Sequence, residues 1–564
     1  FKIQQSRENR ERGKIHKILP DPGFIADELD VLHRYWQAFE LEKLPLLVAE
    51  LEKIDRHFSS TQDNSYLLDV KVFQRDLLNL RTALTSHIAS LKQRCVKMLS
   101  HAHLDLAWLW EVEETWDVAQ RTFESVLALQ KDFSDLTFCH TSPALYEWIE
   151  KHRPDLFSAI QDAVSRQSWE VLGGMWVEPD VNLVSGESIV RQLLYGQRYT
   201  RAKFGNIATV AWLTDSFGFC WQLPQFLKQA GIEYFVTQKL HWNDTTEFPY
   251  GAFRWQSPDG TQIFTLMSPP NIAGIMDTDP MKIASYAVDW ELQTGLQEIF
   301  WLPGVGDRGG GPSRDMLEVQ ERWRQSPFFP RIEFTTARQY LQQIESLLQQ
   351  QEREREEVSA LPVWDDELYL EFHRGCYTTH ADQKRYNRRC ETVLYQAELW
   401  STLAGIVRRR DGITPPVREG CQIETAWKKV LFNQFHDILP GTSIPEVFVR
   451  ANRDWEDALK VGEEILEEAF GAIASQISLP SPPHPDAEPI VIFNSLNWRR
   501  SEVVSLPQNG TDWEVYNAEG EKLETQLAGE KILFLAREIP AIGYRLFWWV
   551  KIDSPTAIGE QLDR

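Results

Sequence analysis

Two imidazoles, a carboxylate and a large aromatic fall within the octet His101-Ala102-His103-Leu104-Asp105-Leu106-Ala107-Trp108. On an extended segment side chains alternate with a period of two, so His101, His103 and Asp105 would share one side. Imidazole nitrogen and carboxylate oxygen are ordinary ligands of a divalent metal. A Trp three residues further on offers a flat apolar face to a substrate. The competing reading is a pair of buried histidines at a strand end.

Two further segments bear on the choice. In Trp212-Leu213-Thr214-Asp215-Ser216-Phe217-Gly218-Phe219, apolar residues run up to a single acid. Gly218 follows, where the chain can turn sharply. A carboxylate is presented in this way at the end of a barrel strand, although Asp215 would equally suit a helix cap. In Asn433-Gln434-Phe435-His436-Asp437-Ile438-Leu439-Pro440-Gly441-Thr442, a His-Asp pair has polar Asn433 and Gln434 behind it. That arrangement suits a ligand with a carboxylate neighbour, or a solvated loop. The three segments are far apart, so their spacing alone does not establish a metal.

Together, His-Ala-His-Leu-Asp, Thr-Asp-Ser-Phe-Gly and Gln-Phe-His-Asp-Ile-Leu-Pro-Gly-Thr resemble glycoside hydrolase family 38, the retaining α-mannosidases, in order and rough separation. Other stretches share the resemblance: Gly173-Gly174-Met175-Trp176-Val177-Glu178-Pro179-Asp180 with Ser185-Gly186-Glu187-Ser188, Thr237-Gln238-Lys239-Leu240, Gly306-Asp307-Arg308-Gly309-Gly310-Gly311-Pro312, and Glu367-Leu368-Tyr369-Leu370-Glu371-Phe372-His373-Arg374-Gly375. The similarity runs from about residue 96 to about 500 and is nearest the cytosolic and vacuolar branch.

The resemblance implies roles residue by residue. His103 and Asp105 match the first two metal ligands, and Asp215 matches a residue that is both ligand and nucleophile. His436 matches the fourth ligand, brought in from a helical domain. The implied metal is Zn2+, with Co2+ as the alternative that the same ligands would accept. His101 matches a residue behind the ligands. Trp108 and Phe217 match walls of the sugar pocket, and Lys239 and His241 match a polar stretch beside it. Asp437 stands next to His436 as a carboxylate supporting that ligand and lining the substrate site, or as a structural cap, and Glu178 and Asp180 are either pocket carboxylates or structural.

The chemistry needs these types. Retaining cleavage of an α-mannoside uses two carboxyl groups about 5–5.5 Å apart, one attacking C1 and the other protonating the leaving oxygen. Asp215 is the expected nucleophile. Asp307, in the Gly-rich loop Gly304-Val305-Gly306-Asp307-Arg308-Gly309-Gly310-Gly311, is the expected acid/base, with Asp180, Asp365 and Asp366 as substitutes. A phosphate cradle is the rival reading of that loop, but the Gly-Lys-Ser/Thr ending is missing. The family usually has Gly where Arg308 stands.

These residues need elements to position them. Residues 1–95 read as a helical region, with periodic Leu among charges. From Val96 to about 357, short apolar runs such as Thr209–Leu213 and Tyr234–Val236 alternate with amphipathic helices. That alternation predicts a mostly parallel α/β sheet or barrel, with its chemistry at the carboxyl ends of strands. The resemblance implies a barrel of the seven-stranded type. Gln349–Glu357 is a charged boundary. Residues 358–475 read as a helical bundle and 476–489, with Leu479-Pro480-Ser481-Pro482-Pro483-His484-Pro485, as a linker. Residues 490–564 alternate like antiparallel strands, the start of a β-sandwich. A sandwich takes about 100 residues, so the chain is expected to be a fragment, and a start without Met agrees.

Composition excludes several classes. A length of 564 residues implies several domains. A net charge of −23, with no Lys/Arg cluster, argues against nucleic acid and anionic membranes. No apolar run approaches the roughly 20 residues of a membrane helix. Composition leaves a neutral partner, which the resemblance implies is a mannose-containing oligosaccharide, and oligomeric state is left open. Six scattered Cys, with no Cys-x-x-Cys pair, and a polar start fit reduced thiols and a cytoplasmic setting. Two rival functions use similar residues: a metal-dependent polysaccharide deacetylase, which activates water and spares glycosidic bonds, and a sugar-binding protein without catalysis.

Overall fold

The short apolar runs between amphipathic helices form strands buried on both faces, as sheets covered by helices require. The computed structural model describes residues 22–60, 70–354, 361–410, 418–507 and 512–552. The polar start at Phe1–Arg7, the end of the charged run at 355–357 and the stretch 553–564 lie outside the described residues. The chain divides into two compact units, one of residues 1–387 with 431–453, the other of 388–430 with 454–564.

In the first unit the strands fall into small sheets. β1 (Cys95–Met98) lies between β10 (Glu298–Trp301) and β12 (Arg331–Phe334), parallel to both. β2 (Ser100–His101), β3 (Phe138–His140) and β4 (Trp169–Val171) form a second parallel set. The third is mixed. Its order is β13 (Val363–Trp364), β7 (Ala252–Gln256), β8 (Gln262–Met267), β6 (Tyr234–Thr237) and β5 (Val210–Trp212). Only β7 and β8 run antiparallel, as a hairpin, so the prevailing direction is parallel. Main-chain bonds pass from sheet to sheet. His101 N–H donates to the Pro303 carbonyl, and Gly173 N–H reaches the Val210 carbonyl. A short antiparallel pair, β9 (Ile275–Met276) and β11 (Gly304–Val305), lies just ahead of Asp307.

The helices Pro22–Phe39, Leu44–Ser60 and Val70–Thr85 occupy the region read as helical. Their Leu32, Tyr35, Trp36, Leu80 and Leu84 share one core with Val96, Met98, Trp212 and Phe300 of the sheets. Burying each such side chain contributes about 1.5–3 kcal/mol. The N-terminal helices are therefore part of what holds the strands that carry the site.

The second unit takes most of the helices Ala381–Arg410, Arg418–Asn433 and Pro445–Ala474. Within it, Trp400, Ala404, Ala469 and Ile473 make a helical core. Two three-stranded antiparallel sheets follow. One is β14 (Ala487–Asn494), β19 (Gly543–Ile552) and β16 (Asp512–Asn517); the other is β15 (Arg500–Pro507), β18 (Lys531–Ile539) and β17 (Thr525–Ala528). Val515 and Phe547 of the first sheet share a core with Phe534 and Ala536 of the second. β14 begins inside the stretch read as linker, because Glu488 and Pro489 already pair with Trp549 and Trp548. No helix among the described residues is long and apolar enough to cross a membrane.

Candidate metal centre and active site

The carboxyl ends of three strands converge. His103 and Asp105 follow β2, Asp215 follows β5, and Asp307 follows β11. His436 arrives on a different segment, paired antiparallel to the run after Trp176. Asp180 N–H donates to the Gln434 carbonyl and His436 N–H to the Glu178 carbonyl. The result is a cluster in which one donor atom each from His103, Asp105, Asp215 and His436 lies within 4.8 Å of all the others.

Its internal distances are short. His103 Nε2 is 2.9 Å from Asp105 Oδ1. His436 Nε2 is 3.3 Å from Asp105 Oδ1 and 3.5 Å from Asp215 Oδ2. The two imidazoles stack at 5.4 Å. His103, Asp105 and His436 are buried, and Asp215 is partly open at 14% side-chain exposure. His436 Nδ1–H donates to the Glu178 carbonyl at 3.0 Å, which leaves Nε2 as a buried ring nitrogen without a hydrogen-bond partner. A buried polar atom of this kind is costly unless something binds it. Two imidazoles and two carboxylates are a donor set that zinc or a similar divalent ion accepts. On these grounds the residues fit a metal.

The charges agree. Burial alone would keep His103 and His436 neutral, yet the surrounding carboxylates push both well above the usual imidazole range. Those carboxylates favour positive charge at the centre. Burial also opposes ionisation of Asp215, but Lys239, ahead of His436 and His103, holds it well below the usual carboxylate range. Lys239 Nζ sits 2.5 Å from Asp215 Oδ1. It is buried at 1% exposure, over the rings of Trp242 at 4.1 Å and Phe217 at 5.0 Å.

Asp307 differs from Asp215. Burial lifts its carboxyl to about 6, against the pull of His103 and with the push of Asp105 and Asp215. Its φ of 49° is in the left-handed region, where a non-glycine residue is strained. The loop enforces this. Asp307 N–H is bound to the Ala273 carbonyl at 2.9 Å, and its own carbonyl accepts Asp105 N–H at 3.1 Å. Arg308, where the resemblance leads to an expected Gly, is exposed. Its guanidinium bonds Glu114 at 2.6 Å and lies over Trp110.

The other expected residues are placed as follows. Phe217 stands edge-on to His436 at 5.7 Å. Asp437 Oδ2 is 3.8 Å from His436 Nε2; burial, with Asp105 next, lifts its carboxyl to about 7. Trp108 is half-buried and T-shaped to Trp110, and its carbonyl ties the loop at Ile444. His101 is outside the cluster, one ring nitrogen on the Cys139 carbonyl and the other accepting from Trp212. Asp180 is directed to the N–H groups of Asn182 and Leu183, and His241 to the Ser268 carbonyl.

Sequence reasoning missed three neighbours. Thr214 Oγ1 reaches His103 Nδ1 at 3.5 Å. His373 stands edge-on to Phe217 at 4.3 Å. Trp242 lies beneath Lys239 because 239–242 is a 3₁₀ turn, which eclipses positions three apart. The Lys-x-x-Trp spacing was the available signal for Trp242.

The chain resembles known proteins over most of its length. The family model "Glycosyl hydrolases family 38 N-terminal domain" matches residues 93–367, and "Alpha mannosidase middle domain" matches 371–473. Alpha-mannosidase 2C1 of Homo sapiens is 34% identical over 418 residues, 74% of this chain and 38% of the human protein. Alpha-mannosidase of Saccharomyces cerevisiae is 32% identical over 417 residues, 72% of this chain and 36% of the yeast protein. The chain thus spans under two fifths of the length of these relatives. Alpha-mannosidase 2 of Spodoptera frugiperda is more distant, at 24% over 149 residues, 26% of this chain and 13% of that protein. Among solved structures, an alpha-mannosidase from Enterococcus faecalis V583 superposes with a TM-score of 0.64 at 19% identity, covering 84% of this chain and 58% of that one. With both domain models matched in sequence over most of the chain, the protein belongs to glycoside hydrolase family 38.

Proposed function

We propose that the chain carries the catalytic site of a metal-dependent retaining exo-α-mannosidase, which removes terminal α-linked mannose from oligosaccharides. The observation that carries the reading is the four-donor cluster, with Asp307 beside it, in a member of family 38. His103, Asp105, Asp215 and His436 would hold Zn2+, or Co2+ in its place. A bound divalent ion would supply fixed positive charge for the 2- and 3-hydroxyls of the sugar.

The chain's own groups do the rest. Asp215, kept anionic by Lys239, attacks C1 and forms a covalent glycosyl-enzyme. Asp307, whose carboxyl burial lifts to about 6, protonates the departing oxygen and then takes a proton from the incoming water. Trp108 and Phe217 wall the sugar, and Asp437 faces the same pocket. The proposed division is a helical region 1–95, a barrel 96–357, a helical bundle 358–475, a linker from 476 that ends where β14 begins at Ala487, and the start of a β-sandwich from there on. A cytoplasmic setting suits Cys95, Cys139, Cys220, Cys376 and Cys390, all free thiols.

Incubation with a mixed set of α-1,2-, α-1,3- and α-1,6-linked mannosides and an acetylated polysaccharide tests the reading. Release of free mannose is expected. Acetate without mannose would replace it with the deacetylase, and sugar binding without any product would leave a lectin-like role.

A further inference from the structure

Glu178 touches three of the four residues of the cluster. Its side-chain Oε1 accepts the Asp215 amide N–H at 2.6 Å, and Oε2 faces His103 Nδ1 at 3.3 Å. Its main-chain carbonyl accepts both the amide N–H of His436, at 3.2 Å, and His436 Nδ1, at 3.0 Å. The residue is buried at 3% exposure, so water does not compete for these contacts. The cluster draws on segments near residues 103, 215 and 436, and this one residue is in polar contact with each of them.

The consequence follows from donor and acceptor chemistry. A carbonyl oxygen only accepts, so His436 Nδ1 carries the hydrogen. In a neutral imidazole, Nε2 then has the free lone pair. The carboxylate oxygens at the two ring nitrogens of His103 also only accept, Glu178 Oε2 at Nδ1 and Asp105 Oδ1 at Nε2; when Nε2 turns its lone pair to an ion in the cluster, the ring hydrogen stays on Nδ1, opposite Glu178. Both rings then present the nitrogen that points into the cluster. A metal-binding imidazole is commonly fixed by a carboxylate or carbonyl on its other nitrogen, and loss of that partner costs about 10–100-fold in metal affinity.

We propose that Glu178 is the positioning residue of the metal centre, setting the ring tautomers of His103 and His436 and the approach of Asp215 together. The inference rests on the metal reading above. It predicts an unusual ranking for Glu178→Gln. An amide has one accepting end, whereas Glu178 meets two donors. The peptide N–H of Asp215 cannot change tautomer, so it keeps the oxygen. The amide NH2 then faces His103 and drives the ring hydrogen to Nε2, the nitrogen that should bind metal. A substitution that preserves shape therefore damages the site, which a purely structural role would not predict.

The test is a titration of metal-free protein with Zn2+ and Co2+ against a chromophoric chelator, with the melting temperature of the metal-free form and the visible spectrum of the Co2+ form. Wild type should bind one ion per chain. Glu178→Gln should bind about 10–100-fold more weakly, with an unchanged metal-free melting temperature and an altered Co2+ spectrum at saturation. Thr214→Val, which removes the other acceptor near His103 Nδ1, should stay within about threefold of wild type. Equal affinity for wild type and Glu178→Gln overturns the inference and leaves the metal centre standing; so does a larger loss in Thr214→Val. If wild type binds no ion, the metal reading falls and the inference with it. Should Glu178→Gln not fold, Glu178→Asp serves. It withdraws the carboxylate by one methylene and should also weaken binding, and wild-type affinity there would overturn the proposal.

Discussion

Gly306→Ala isolates what the loop does for Asp307. A Cβ at position 306 would lie 1.8 Å from the Ala273 oxygen and 3.0 Å from the Gly274 oxygen, whereas real Cβ contacts essentially never fall under 3.0 Å. The two segments must part by about 1.2 Å at least, a clear breach of van der Waals contact. Neither side yields easily, because both are main chain. Gly306 N–H is bound to the Gly274 carbonyl at 2.6 Å, and Asp307 N–H to the Ala273 carbonyl at 2.9 Å. Asp307 moves with its neighbour, and a misplacement of about 1 Å in a reacting group costs about 100-fold. The expected result is a loss of kcat/KM of about 100-fold on an α-linked mannose disaccharide. The loss on a dinitrophenyl α-mannoside, whose leaving group departs without a proton, should be smaller. The four residues of the proposed metal cluster lie on other segments, and only the Asp105 main chain is bonded to the Asp307 carbonyl, so metal affinity should fall far less than activity on the disaccharide. Overpacking should cost about 1–3 kcal/mol of stability. The assay is steady-state kinetics on both substrates, with metal analysis and a thermal melt. Disaccharide activity within about threefold of wild type would refute the argument. Equal losses on both substrates, with metal retained, would show that Asp307 is not the proton donor.

Three further outcomes are expected. If Asp215 is the nucleophile, proton NMR at early times should show α-mannose as the first product; initial β-mannose would make Asp215 a base or only a ligand. Asp307→Ala should cost little in glycosylation by a dinitrophenyl mannoside and much on a disaccharide, with azide restoring turnover of the glycosyl-enzyme; equal impairment without rescue would move the role to Asp180, Asp365 or Asp366. On the disaccharide, kcat/KM should fall as pH rises through a value at or below about 6, since Asp307 acts protonated and a bound cation would lower its pKa further. A pH–rate profile with that limb unchanged in Asp307→Ala would contradict the assignment.

The sequence carried the site further than it carried the architecture. His103, Asp105, Asp215 and His436 were legible because each stands in a short run with its own pattern, and the structure brings the four into one cluster. Asp307 was legible from the glycines that let its loop pass close to Ala273. The strands at 96, 210 and 234 were legible because parallel strands are continuous apolar runs. What was hidden depends on contacts between distant segments. The grip of Glu178 on three of those segments has no periodic signature, since its bonds are made half by side chain and half by main chain. The sharing of one core by Trp36 and Trp212 is hidden for a similar reason, because an amphipathic helix does not name the sheet it will cover. The strand at Ala487 was masked by the Pro-rich stretch before it, although Pro489 itself sits in the ladder.

The central claim is that His103, Asp105, Asp215 and His436 form a metal centre on which mannoside hydrolysis depends. Its most direct test is hydrolysis of an aryl α-mannoside by protein stripped with a chelator and shown by elemental analysis to be metal-free, before and after return of Zn2+ or Co2+. The account predicts no turnover in the stripped protein and recovery on adding back either ion, with His436→Ala lowering metal occupancy. Full activity in the metal-free sample would contradict it.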